Sequence, residues 1–215
     1  ADYTDDIKLR GMVHAAILRS PHAHAKINSI DTSAARNAPG VLAVYTGADT
    51  DGVLNPIPCA WLPPDSDIKA VDHPAMAVDT VRYVGDAVAV VVAESRYQAE
   101  DALELINVDY SALPSVVNPQ AAMASGAPQL HEDAPNNQAF HWVVAGGDAD
   151  AAFAAAAGDP QNHVVVSENI VQQRLIPNAM EPRSAVASWQ SAMGELTLWS
   201  TSQNPHIVRF LCSLV

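Results

Sequence analysis

The side chains of this sequence placed where chemistry is possible are a group of histidines, one acid–base pair and a primary amide. "SPHAHAK" sets His22 and His24 at i, i+2, on one face if the segment is a strand, with His14 just upstream. Zinc takes such a pair together with further ligands, and no Cys, Asp or Glu stands in the immediate neighbourhood. Histidines beside a turn serve equally as hydrogen-bonding structure, one ring nitrogen donating and the other accepting. "RLIPNAMEPRSAVA" puts Glu181, Pro182 and Arg183 in a turn, where acid and base read as a surface ion pair of about 0–1 kcal/mol. "STSQNPH" puts Gln203 and Asn204 between a strand end and a helix N-terminus, a common place for ligands. A primary amide there donates and accepts at once, which suits an oxo group or a heterocycle edge. It suits a local helix-capping role as well, and both readings stand at this point.

Other chemistries lack their signatures. There is no Gly-x-Ser-x-Gly elbow and no cysteine in a basic setting. "VAGGDAD" has two glycines before a helix but neither the Lys nor the third Gly of a phosphate loop, so Gly146-Gly147 reads as the turn feeding the cap Asp148.

The elements that must position these residues alternate. Strands are expected at Gly11–Ser20, Ala23–Asp31, Val41–Gly47, within Val81–Ala93 on both sides of a Gly85-Asp86 turn, and within Ile106–Pro119. Asp31–Gly40 reads as a short helix stopped by Pro39-Gly40. Ser95 and Gln98 are spaced as a capping box for a helix running to about Leu105. Residues Gly52 to Val71 carry four prolines and read as a long surface loop. After a polar stretch, an alanine helix follows at Asp148–Ala157, then strands at His163–Gln173, Ser184–Gln190 and Glu195–Ser202, the last two a hairpin turning at Gly194. Asn204-Pro205 opens a helix with Ile207, Val208, Phe210, Leu211, Leu214 and Val215 on an apolar face.

A chain of 215 residues suffices for one large or two small domains, and 49% apolar residues suit a mixed α/β fold with a real core. A net charge of −13 repels phosphate backbones and anionic membranes, so nucleic acid is not an expected partner and the charge reads as solubility. Cys59 and Cys212 stand far apart without ligand spacing, which points to a reducing compartment. No run approaches the ~20 apolar residues of a membrane span. The polar, acidic start "ADYTDDIKLRG" is unlike a signal peptide, so a cytoplasmic location is expected.

The longer segments taken together are more specific. "HAAILRSPHAHAKINSIDTSAARNAPGVLAVYTGAD", "VRYVGDAVAVVVAESRYQAEDALELINVDYSALPSVVNP", "LIPNAMEPRSAVA" and "LWSTSQNPHIVR" occur in one order over nearly the whole chain. In this the chain resembles the molybdopterin-binding large subunits of the xanthine oxidase family, including the aldehyde oxidases and aerobic carbon monoxide dehydrogenases. The resemblance implies an α/β hammerhead domain at 1–120, a linker at 121–147, and at 148–215 the opening part of the first molybdenum-cofactor domain. It implies that Gln203 approaches the molybdenum centre, with Asn204, Glu181 and Arg183 in support. No catalytic residue and no metal ligand transfers onto this chain, because the family's glycine-rich loop and glutamate base have no match here.

The resemblance further implies a molybdenum hydroxylase oxidising an aldehyde, an N-heterocycle or carbon monoxide with water as oxygen source. The expected cofactor is molybdopterin in its cytosine dinucleotide form. Partners implied are the rest of the large subunit, an FAD-binding medium subunit and a small subunit with 2Fe-2S clusters, assembled as a dimer of heterotrimers. The 215 residues are expected to be an N-terminal portion, inactive alone. The alternative is a non-catalytic scaffold or assembly chain that docks its open apolar helix on a separate cofactor-binding chain.

Overall fold

The computed structural model describes residues 3–215. In chain order it contains β1 (His14–Arg19), β2 (Ala25–Asp31), α1 (Ser33–Arg36), β3 (Val41–Thr46), α2 (Gly47–Thr50), β4 (Thr80–Val81), β5 (Ala87–Ala93), α3 (Arg96–Leu103), β6 (Asn107–Ala112), α4 (Pro119–Ala122), α5 (Ala149–Gly158), β7 (Ala185–Gln190), β8 (Glu195–Ser200) and α6 (Pro205–Cys212). Two 3-10 turns, Thr4–Asp6 and Pro135–Asn137, complete the set. The fold is mixed α/β with three small antiparallel sheets, ordered β1-β5-β3, β4-β2-β6 and β7-β8.

The run "AVAVVVA" becomes the middle strand β5, hydrogen-bonded on both sides, to β1 and to β3. Its Ala89, Val91 and Ala93 pack with Val44, Ile106 and the α3 residues Ala99 and Ala102. Alanines at these positions let the helix lie close on the sheet. Val88 points the other way, into a second cluster with Ala25, Ile27, Ala77 and Val81 that belongs to the β4-β2-β6 sheet. One strand thus supplies both cores, as its side chains alternate between faces. The Gly85-Asp86 turn ties the two sheets: the Ser20 N–H donates to the Asp86 carbonyl and the Gly85 N–H to the Ser20 carbonyl, both at 2.8 Å. Gly85 holds φ +95°, a value side chains rarely adopt.

The helix α3 starts as its spacing predicts, although the box is closed differently. Ser95 Oγ accepts from the Gln98 N–H and donates to Gln98 Oε1 at 2.7 Å, so the glutamine faces the serine hydroxyl instead of its backbone. The Gln98 amide also lies over Gly40, where a Cβ would fall 2.1 Å from its Nε2. The short helix expected at Asp31–Gly40 is only α1, four residues long.

Two expectations fail in the second half. Residues 163–173 form no strand. They have the composition for one, but among the described residues no other strand lends them a ladder, and Val164, Val166, Ile170 and Val171 stand exposed. A strand is a pairing, and composition alone does not make it. Asn204 precedes α6 as foreseen but makes no side-chain cap bond; its own N–H donates instead to Ser202 Oγ at 3.0 Å. The β7-β8 hairpin is as expected, turning at Gly194 with φ +67°. No helix among the described residues is long and apolar enough to cross a membrane.

Gly47 closes β3 against the backbone of Ala77, where an added Cβ would fall 2.1 Å from the carbonyl oxygen. Gly47→Ala is expected to destabilise by about 1–3 kcal/mol, because two backbone segments must separate. Gly158→Ala, in open space at the end of α5, is expected to be neutral or to stabilise by up to about 1 kcal/mol. Equilibrium urea unfolding of both variants checks the contrast.

Candidate functional site

The β7-β8 hairpin brings two sequence-distant stretches side by side. Ala185 pairs with Ser200, the Thr201 N–H donates to the Ser184 carbonyl at 3.3 Å, and Thr201 Oγ1 donates to the Pro182 carbonyl at 3.3 Å. The Glu181–Arg183 turn and the Gln203–Asn204 loop therefore leave the same end of one hairpin. Ser184 Oγ, at this junction, is buried without a hydrogen-bond partner.

Gln203 and Asn204 are exposed at the N-terminus of α6. Their side chains have no hydrogen-bond partner among the described residues, so the Gln203 carboxamide is not used as a cap. Pro205 has no N–H to offer, and the first amides of α6 point outward beside Gln203 with the positive end of the helix dipole. The donor set is neutral and rich in N–H, with no carboxylate of its own.

Glu181 is turned elsewhere. Its Oε1 accepts from the Thr4 N–H at 3.1 Å and from Thr4 Oγ1 at 3.3 Å, so it clasps the N-terminal 3-10 turn to the start of the hairpin. The Glu181–Arg183 ion pair does not form among the described residues: the pairs present are Arg36–Asp49, Arg96–Asp5 and His163–Asp159. Arg183 lines a cleft of about 1020 Å³ between the outer side of β1, α3 and β7, together with Arg10, Arg96 and Glu100. A smaller cleft of about 250 Å³ is lined by Asp72, His73, Arg82, Tyr83, Asp86 and His131. Burial, and then the Arg82 guanidinium, hold the His131 imidazole below its ordinary value. Burial, and then the Asp86 carboxylate, push the Tyr83 phenol up. Neither Gln203 nor Asn204 lines either cleft.

The histidines of "SPHAHAK" have separate tasks. The His24 Nδ1–H donates to the Pro114 carbonyl at 2.7 Å, and His22 tilts onto the Tyr110 ring with centroids 4.8 Å apart. Asp148 caps α5, its Oδ1 accepting from the Ala151 N–H at 2.9 Å, and Gly147 supplies φ +69° just before it. The Thr4–Glu181 clasp had no local signal, because its partners lie 177 residues apart.

Comparison with known proteins gives these loops a context. Residues 1–114 match the family model of the a/b hammerhead domain of aldehyde oxidase and xanthine dehydrogenase, and residues 130–215 that of a molybdopterin cofactor-binding domain. The carbon monoxide dehydrogenase large chain of Afipia carboxidovorans is 40% identical over 228 residues, covering 100% of this chain and 26% of that one. The nicotine 6-hydroxylase large subunit of Paenarthrobacter nicotinovorans is 37% identical over 212 residues, covering 99% of this chain and 25% of its own. A solved structure of reconstituted CO dehydrogenase from Oligotropha carboxidovorans superposes with a TM-score of 0.80 at 36% identity, over 99% of this chain and 26% of that one. The chain thus spans about a quarter of the length of these relatives.

The clasp at Thr4 is open to measurement. Glu181→Gln keeps the shape and removes the charge that strengthens both bonds. Hydrogen exchange at the Thr4 amide is expected to quicken about tenfold, the equivalent of one charge-assisted hydrogen bond weakened by ~1.4 kcal/mol. Unchanged exchange would mean that the turn holds itself.

Proposed function

This chain belongs to the aldehyde oxidase and xanthine dehydrogenase family, and from that membership we propose that the whole protein is the large subunit of a molybdenum hydroxylase. It oxidises an aldehyde, an N-heterocycle or carbon monoxide, with water as the oxygen source. The observation that carries this reading is the match of both halves of the chain, 1–114 and 130–215, to successive domains of that family. Those ranges support a hammerhead unit at 1–120 and the opening of a cofactor-binding domain reaching 215; the second match begins at residue 130, inside the segment 121–147 read from the sequence as a linker before a domain at 148–215.

The Gln203 loop fits one side of such a cofactor. Free carboxamides at 203 and 204 and the first amides of α6 are donors suited to an anionic, oxygen-rich group. When bound, molybdopterin would supply the two-electron redox chemistry of the reaction, and the protein placement and hydrogen bonds. Gln203 orients an oxygen of the bound group or of the substrate through its amide N–H. Asn204 sets the loop's exit into α6, and Glu181 and Arg183 shape the neighbouring turn. We assign the molybdopterin to the cytosine dinucleotide form, and FAD and 2Fe-2S clusters to companion medium and small subunits in a cytoplasmic dimer of heterotrimers. The 215 residues alone are inactive in this reading, since they supply one wall of the site and no general base.

The exposed apolar side of α6, with Ile207, Phe210 and Leu214, favours a second reading in which the chain is a docking scaffold without catalysis. The two readings part in the complete enzyme carrying Gln203→Ala. The catalytic reading expects the variant to keep its molybdenum, measured by elemental analysis, with an altered Mo(V) resonance spectrum. It expects kcat to fall by about 10²–10³, the usual loss for one preorganised donor. A wild-type enzyme without molybdenum would leave only the scaffold reading. A variant with unaltered spectrum and rate would remove Gln203 from the site.

A further inference from the structure

Two segments read as loop or linker meet on the surface. Trp61 contacts Phe140 edge-on with centroids 5.2 Å apart, and Trp142 in the same manner at 5.6 Å. Two hydrogen bonds hold the segments together: the Lys69 N–H donates to the Ala139 carbonyl at 2.7 Å, and the His141 N–H to the Asp67 carboxylate Oδ1 at 2.6 Å. The rings are about half exposed, at 48% for Trp61, 42% for Phe140 and 48% for Trp142. With side chains of roughly 150–250 Å² each, the trio alone presents some 300 Å² of aromatic surface. Leu62, Val143 and Val144 are exposed next to it in sequence. The trio alone matches the lower end of the largest patch on a typical monomer, a size that is often functional, and these neighbours extend the apolar stretch along the chain.

The place of the patch bears on what covers it. The loop that carries Trp61 also holds the outgoing end of α6: the Asn55 N–H donates to the Val215 carbonyl at 3.0 Å, and Asn55 Nδ2 to the Leu214 carbonyl at 2.9 Å. Trp61 is six residues on from Asn55, so at most about 20 Å of chain separates it from that clasp. Polypeptide running on from α6 would start on the loop that carries Trp61, within about 20 Å of it. In the relatives about three quarters of the length lies outside the matched region. A covalently attached neighbour meets the patch at a high effective concentration, whereas a separate chain must first associate.

We propose that Trp61, Phe140 and Trp142 form an interface within the large subunit, covered by the polypeptide that follows residue 215 and not by a companion chain. The inference rests on the large-subunit reading above. The aromatic rings act as anchors for the covering segment, and the two clamping hydrogen bonds preorganise them, which lowers the entropy lost when the interface closes.

The test is hydroxyl-radical labelling of the complete large subunit, purified alone and with its companion chains, with Trp61 and Trp142 read by peptide mass spectrometry. N-acetyltryptophanamide in the same solution gives the rate of a free indole. In the large subunit alone both residues are expected to label at least about fivefold more slowly than the free indole, as a closed apolar interface requires. A smaller reduction at either residue overturns the proposal, including the case in which protection comes only when companion chains are added. Molybdenum content of the assembled enzyme is measured in parallel, so failure of the family reading shows as absent metal whatever the labelling says.

Discussion

The first half of the molecule depends on β5. A strand hydrogen-bonded on both edges, buried on one face and half-buried on the other, cannot tolerate a slip of one residue, since a slip would exchange the two faces. Its seven residues are all alanine or valine, and the two sizes are distributed by need. Ala89 and Ala93 lie in the cluster that α3 enters with Ala99 and Ala102, where small side chains let helix and sheet approach. Val88, on the other face, packs in the smaller cluster that the β4-β2-β6 sheet must close. The strand's entry is fixed by the Gly85-Asp86 exchange with Ser20, so the β1–β2 crossing and the β4–β5 crossing are held at one point.

The second half has no equivalent. A two-stranded hairpin offers one ladder and two free edges, and an isolated hairpin is marginal in water. α5 buries none of its residues, and α6 shows its apolar side to solvent. What holds this half to the first is a small number of specific long-range bonds, among them Thr4 to Glu181, Asn55 to the turn after α6, Lys69 to Ala139 and His141 to Asp67. These are polar contacts of modest strength, worth about 1 kcal/mol each in ordinary settings. They define where the hairpin sits, with little apolar burial beside them.

This contrast explains what the residues revealed by themselves. β1, β2, β3, β5 and α3 could be read because period, caps and turn residues agree with one another at each position, which is the condition for local signals to be trustworthy. The hairpin could be read because Gly194 and the flanking apolar residues form a local unit. The 163–173 segment misled because valine-rich composition reports fitness for a sheet, and nothing local says whether a sheet is there to join. Asn204 has the residue type of a cap and stands at the cap position, but its side chain makes no cap bond and is left free, while its backbone N–H donates to Ser202 Oγ. The candidate site was legible only as far as Gln203 itself. Glu181 beside Arg183 invited a local ion pair, while the structure spends the carboxylate on Thr4, a partner no spacing rule reaches.

That release of the amide at 204, together with the unengaged amide at 203, is the feature a binding loop needs. A capping side chain satisfies the helix and is lost to any ligand, so a cap and a ligand contact compete for the same group. Here Ser202 accepts the backbone N–H of Asn204 and so steadies the loop without consuming either carboxamide. The first N–H groups of α6 stay open because Pro205 begins the helix without a donor of its own and no side chain reaches back over them. A loop that satisfied itself would be more stable and would have nothing to offer an oxygen-rich cofactor. The loop at 202–205 is steadied by the Ser202 hydroxyl and leaves both carboxamides outward, away from both clefts, and on that availability the proposed cofactor contact at Gln203 rests.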